Sequence, residues 1–157
     1  MNPSVSALLA CLEKEISLTG EFLAILRDEA AVLEDGATET SLADTTARKN
    51  AAADALGRVA RERNALLDAL GCEHDGPGLQ AAADAHPSLS GPRLRLLDIT
   101  GEARTLNESN GRIIDVFLDH NQRTLDTLRR LAGVGDIYDA SGRTRSGNKG
   151  SGRNIKA

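Results

Sequence analysis

Tryptophan is absent from this 157-residue chain, and Phe22, Phe117 and Tyr138 are its only aromatic residues. Leu, Ala, Val and Ile must therefore do nearly all the packing. The β-branched and aromatic runs that make strands are missing, which suits helix-on-helix contacts better than a sheet. Cysteine is scarce too. Cys11 and Cys72 stand far apart with no signal peptide before them, since Met1 leads directly into a helix start at Asn2-Pro3. This excludes a disulfide framework and implies a reducing cytoplasm with two free thiols, Cys11 packing as a small apolar residue. No apolar run approaches the length of a membrane span, so insertion into a bilayer is not expected.

Catalytic and metal-binding patterns are missing as well. A di-iron bundle needs Glu-x-x-His pairs on facing helices, and none of His74, His86 and His120 follows a Glu at that spacing. Cys72-Glu73-His74 offers two soft ligands, too few for zinc. The same Cys and His lack a third group and a pocket for nucleophilic chemistry. Gly133-Val134-Gly135 has neither the strand nor the downstream Lys of a phosphate loop. The residues point to no enzyme, no metal and no cofactor.

Charge is unevenly placed. The formal net charge is −4, yet Arg143, Arg145, Lys149, Arg153 and Lys156 form a C-terminal stretch without an acid. An acidic body with a short basic tail lacks the basic face of a nucleic-acid binder. The tail is expected to be solvated, or to touch an acidic surface.

What the chain does have is a heptad seam. Val5, Leu9, Leu12, Ile16, Thr19, Leu23, Leu26, Ala30 and Leu33 follow 4-3 spacing without a slip. Such a stripe makes a long helix that must bury one face against other helices. Asn2 caps it, Pro3 takes its first position and Asp35-Gly36 ends it. Thr19-Gly20 is a place for a bend or a close crossing. A second helix opens near Ser41-Leu42-Ala43-Asp44, a weak capping box. It carries the seam Leu42, Thr45, Lys49, Ala52, Leu56, Val59, Arg63, Leu66, Leu70, and stops at Gly71. Lys49 and Arg63 interrupt that stripe. Their stems cover apolar surface while their heads reach water or a carboxylate of the first helix; a dedicated anion site is the alternative. The short connection makes the two helices an antiparallel hairpin.

Residues 72–90 read as a loop, with room for a short helix over Leu79 to Ala85. Ser90-Gly91-Pro92 opens a third long helix that runs to Ala132. If continuous it spans about 60 Å against about 50 Å of hairpin. It then either projects or bends at Gly111, exposing apolar residues, and exposed apolar helix marks a partner site. The expected fold is all-α: an antiparallel helical hairpin plus a third long helix in an elongated bundle, with a disordered basic C-terminal tail. Helices cover about 3–34, 41–70 and 91–132 of a bundle over residues 1–135. A flexible tail with a Tyr-containing segment occupies 136–157.

Three patterns in order carry a resemblance. The first is the hairpin with Glu29-x-x-x-Leu33 before Asp35-Gly36. The second is helix two, with Lys49 and the ending Arg63-Asn64-Ala65-Leu66-Leu67-Asp68-Ala69-Leu70-Gly71. The third is Asn107-Glu108-Ser109-Asn110-Gly111-Arg112-Ile113-Ile114, followed by Leu125, Leu128, Leu131 and Ile137-Tyr138-Asp139-x-x-Gly142. In these, and over nearly the whole chain to about Arg143, the sequence resembles the FlgN family of flagellar export chaperones, which belong to the type III secretion chaperones. The resemblance implies a non-enzymatic cytoplasmic chaperone. Such a protein holds the C-terminal amphipathic helix of hook-associated (hook-filament junction) proteins, prevents premature association, and delivers them to the flagellar export gate and its ATPase complex. It places the client site on the third helix, at Asn107, Asn110, Ile113, Ile114, Phe117, Leu118, Leu125 and Leu128. Ile137 and Tyr138 become the segment that docks on the export gate. The alternative reading is a self-assembling coiled-coil structural or adaptor protein without a client.

Overall fold

In a computed structural model of the protein, residues 1–132, 136–138 and 144–146 are described. Four helices run in the order α1 (Pro3–Glu34), α2 (Glu39–Ala69), α3 (Gly76–Ala85) and α4 (Ser90–Ala132), with a single 3-10 turn at Pro87–Leu89 before α4. A short antiparallel ladder follows, β1 (Asp136–Tyr138) with β2 (Thr144–Ser146), pairing Ile137 with Arg145 and Tyr138 with Thr144. The described residues are thus all-α apart from this ladder. The reading of 136–157 as a flexible tail did not include it, although Ile, Tyr and Thr are good strand formers. The rest of that expected tail lies outside the described residues. The chain divides into two compact units, Met1–Gly111 and Arg112–Ala157. The sequence alone suggests a bundle over residues 1–135.

Local chemistry explains the helix ends. Asn2 accepts from the Ser4 amide at 2.9 Å, with Pro3 beside it, so α1 starts as expected. The start of α2 lies earlier than Ser41. Thr38 is the cap, and a reciprocal box joins it to Ser41: the Ser41 amide donates to Thr38 Oγ1 at 3.1 Å and the Thr38 amide to Ser41 Oγ at 3.0 Å. Gly36 and Gly71, the expected stops, adopt φ of +85° and +71°, the left-handed conformation that ends helices cheaply only at glycine. After α2, the Gly71 and Cys72 amides return to the Asp68 and Leu67 carbonyls at 2.9 Å each. The short helix expected over Leu79 to Ala85 begins a turn sooner, because Asp75 accepts from the Gly78 amide at 2.7 Å. α4 is helical through Gly111.

The core of the first unit has two parts. At one end Val5, Leu8 and Leu12 of α1 meet Leu67 of α2, Leu79, Ala82 and Ala83 of α3, Leu89 and Leu96. At the other, Leu23 and Leu26 meet Ala103, flanked by Phe22, Ile99 and Leu106. The buried stripe of α1 is not quite the heptad seam. Glu15 and Glu29 are buried where Ile16 and Ala30 were expected, at 7% and 0% exposure. A straight helix drifts against a strict seven-residue repeat, and here each carboxylate that drifts inward meets a cation. Glu29 takes Lys49 at 3.1 Å, and Glu15 takes Arg63. Lys49 and Arg63 therefore do what their place in the α2 stripe suggests. Each partner pair is separated by two heptads on its own helix, so the two bonds agree on one antiparallel register. Exposed pairs Lys14–Glu62 (3.2 Å) and Arg48–Asp28 (2.9 Å) follow nearly the same register.

Candidate docking surface

The client residues predicted from the sequence fall into two groups with different chemistry. Asn107 and Asn110 belong to a polar cluster inside the first unit. Asn110 is 1% exposed. Its amide donates to the Leu26 carbonyl at 2.9 Å and to Glu29 Oε1 at 3.1 Å. Lys49 Nζ donates to both oxygens of Glu29, at 3.2 and 3.1 Å, and to Asn107 Oδ1 at 3.4 Å. This cluster ties α1, α2 and α4 together around one fully buried carboxylate. Asn110, expected as a client contact, here spends both amide donors within the fold, on the Leu26 carbonyl and on Glu29, which Lys49 holds as well. Asn107 keeps an exposed side chain but is already engaged by Lys49.

The remaining predicted client residues lie on α4 beyond Gly111. Ile113, Leu118, Leu125 and Leu128 are 48%, 44%, 46% and 56% exposed, and Ile114 and Phe117 are half-buried. Ile114, Phe117, Leu118, Leu125 and Leu128 recur at spacings of one face of an α-helix. Ile113 lies off that face, as do two exposed residues the sequence reading left out of its site, Val116 at 69% and Leu131 at 81%. The other side of this stretch carries pairs such as Arg123–Asp119 at 3.1 Å. Arg129 and Arg130 occupy its last turn, where cations oppose the helix dipole. The segment is thus an amphipathic helix whose apolar residues remain substantially open. Leu94 and Leu97, on α4 within the first unit, are also open, at 60% and 49%.

The family model for FlgN protein matches residues 1–146. The chain belongs to the FlgN family. Among curated proteins it is similar to "Flagella synthesis protein FlgN" of Proteus mirabilis, at 29% identity over 135 residues, covering 85% of this chain and 87% of that protein. No solved structure matches. The FlgN match takes in every predicted site residue, Ile137 and Tyr138 included, and ends at β2. Ile137 and Tyr138 sit in β1.

Other chemistry is sparse. Among the described residues no cluster of three or more His, Cys, Asp or Glu side chains could hold a metal ion. No helix among them is long and apolar enough to cross a membrane. Cys11 is buried, and burial above all, with Glu62 and Glu15 adding to it, pushes its thiol up to about 11. A thiol so held is a poor nucleophile at neutral pH. His74 contacts Asp68 at 2.6 Å on the surface, and His120 is exposed.

Proposed function

We propose that this chain is a non-enzymatic cytoplasmic export chaperone whose α4, beyond Gly111, covers the C-terminal amphipathic helix of hook-associated junction proteins. FlgN proteins serve flagellum biogenesis as chaperones. The observation that carries the finer reading is the run of large apolar side chains left open on Ile113, Val116, Leu118, Leu125, Leu128 and Leu131. A client helix that assembles only outside the cell carries a sticky face while inside it. An amphipathic chaperone helix can bury that face by helix-in-groove or helix-on-helix contact. The contact residues are Ile113, Ile114, Phe117, Leu118, Leu125 and Leu128. Ile137 and Tyr138 take the role of anchor on the export gate and its ATPase complex, since Tyr buries a large area with few rotatable bonds.

Calorimetry of the full chain with peptides from the C-termini of hook-associated proteins tests this reading. A saturable isotherm at micromolar Kd or tighter, with a negative heat-capacity change, supports a helix-burying chaperone. Ile114→Asp is expected to abolish that heat without changing the melt. Tyr138→Ala is expected to leave peptide affinity unchanged and impair export in cells. An absence of heat, together with a sedimentation mass showing stable self-association, would replace this reading with a self-assembling coiled-coil protein.

A further inference from the structure

The open face of α4 beyond Gly111 has a symmetry that binding a client does not require. Ile114, Phe117, Asn121, Leu125 and Leu128 are spaced by three, four, four and three residues. The row therefore reads the same from either end, with Asn121 at its middle. Leu118 widens it on the side of Leu125. At the helical repeat, Ile113 and Leu131 lie together along one edge of the row, and Asp115 and Arg129 along the other. Arg112, Asp119, Arg123, Asp126 and Arg130 fall on the far side of the helix.

Two copies of such a face fit each other when laid antiparallel. A two-fold axis beside Asn121 sets Ile114 over Leu128, Leu118 over Leu125 and Ile113 over Leu131 of the second copy, each contact made twice. On the other edge the same register sets Asp115 over Arg129 of the second copy, so opposite charges meet at both ends of the pair. The two Asn121 side chains meet at the centre. Asn121 is exposed and makes no hydrogen bond among the described residues. Its amide carries donors and an acceptor, so two of them can satisfy one another. A single Asn in an apolar seam also fixes register and partner number. An apolar residue opposite it would bury it unpaired, at a cost. The match gives a partner to Leu131, which is 81% exposed and lies outside the client residues. Parallel pairing offers neither edge match, because residues 113 and 131 would then stand about 27 Å apart along the axis. Antiparallel helices also oppose their dipoles.

We propose that residues 113–131 of α4 pair antiparallel with the same residues of a second copy of this chain. The seam is only about 27 Å long, and its polar centre costs stability, so the pair is reversible. It covers the face assigned above to the client, and client and second copy therefore compete for that face. The pairing itself does not depend on the client reading.

Sedimentation equilibrium of the full chain is expected to show a mass that rises with concentration from one chain toward two. Asp115→Arg and Arg129→Asp are each expected to weaken self-association at least tenfold at an unchanged melt, because like charges then meet across the pair. An equimolar mixture of these two variants is expected to recover association to within threefold of the parent, since every charge again faces its opposite. Leu131→Asp, which removes an edge contact and touches no client residue on its own helix face, is expected to weaken association at least tenfold as well. Variants that associate as tightly as the parent, or a mixture no tighter than its components, would overturn the proposal. So would a parent that stays a single chain at every concentration; if it still bound hook-associated peptides, the export reading would survive alone. A two-chain species that is recovered by mixing, and that those peptides neither bind nor split, would support the pairing and sink the export reading.

Discussion

Glu29 shows how much of this fold hangs on single side chains. It is fully buried and accepts from Lys49 and Asn110. Removing one partner of a buried pair leaves an uncompensated charge, whereas replacing both by apolar residues of similar volume is often neutral. Lys49→Met is therefore expected to cost about 3 kcal/mol in urea unfolding, and the double change with Glu29→Met to recover most of it. A double variant as unstable as the single one would mean the pair itself stabilises the hairpin. Cys11 makes a second prediction through pH. Its thiol, ordinarily near 9.0, is held at about 11 by burial. Between those values the native chain keeps a proton that the unfolded chain has lost, so stability falls as pH rises from about 9 to about 11 and is flat in this respect on either side. The loss is at most about 1.4 kcal/mol per pH unit. Unfolding midpoints of the parent and of Cys11→Ala, compared over that range, should converge as pH rises. Parallel curves would show that the thiol titrates normally.

At the scale of the element, α3 is the part most dependent on a close fit. A Cβ on Gly78 would lie 1.9 Å from the Glu73 carbonyl oxygen. The obstacle is backbone, so no rotamer change relieves it, and Leu79, Ala82 and Ala83 behind it are core residues. Gly78→Ala is expected to undock the start of α3 and cost more than loss of its Asp75 cap, itself worth about 1 kcal/mol. Amide exchange across residues 76–85 would report it. Equal protection in Gly78→Ala and the parent would refute the fit. This element was only partly legible in the sequence. A segment rich in Gly, Pro and Ala has no periodicity to mark its buried face. The ends of α1, the glycine stops and the antiparallel hairpin were legible, because caps and turn residues act locally. The inward carboxylates were not, since a heptad count selects Ile16 and Ala30 in their place. The signal for them lay in matched spacing: Glu15 and Glu29 are two heptads apart, as are Arg63 and Lys49. The place of Asn110 within the fold was not legible for a related reason. A polar residue interrupting an apolar face reads equally as a rim contact or a buried donor, and only its distance to Glu29 decides between them.

For the whole molecule, the division at Gly111 separates a part that carries its own core from a part that exposes apolar residues. Both clusters of core residues end by Leu106, and the Asn110 hydrogen bonds close the first unit. The buried Glu29 and Asn110 find their partners within this unit. A chain of residues 1–111 is accordingly expected to unfold cooperatively, with stability within about 1 kcal/mol of the full protein, the margin typical of surface changes that disturb no core. It should also fail to bind hook-associated C-terminal peptides, since the open residues of α4 all lie beyond its end apart from Leu94 and Leu97. Urea unfolding followed by helix signal, beside a peptide titration, checks both halves. A truncated chain that melts without cooperativity would show that the second unit stabilises the first. One that folds and still binds the peptides at full affinity would move the client site into the first unit.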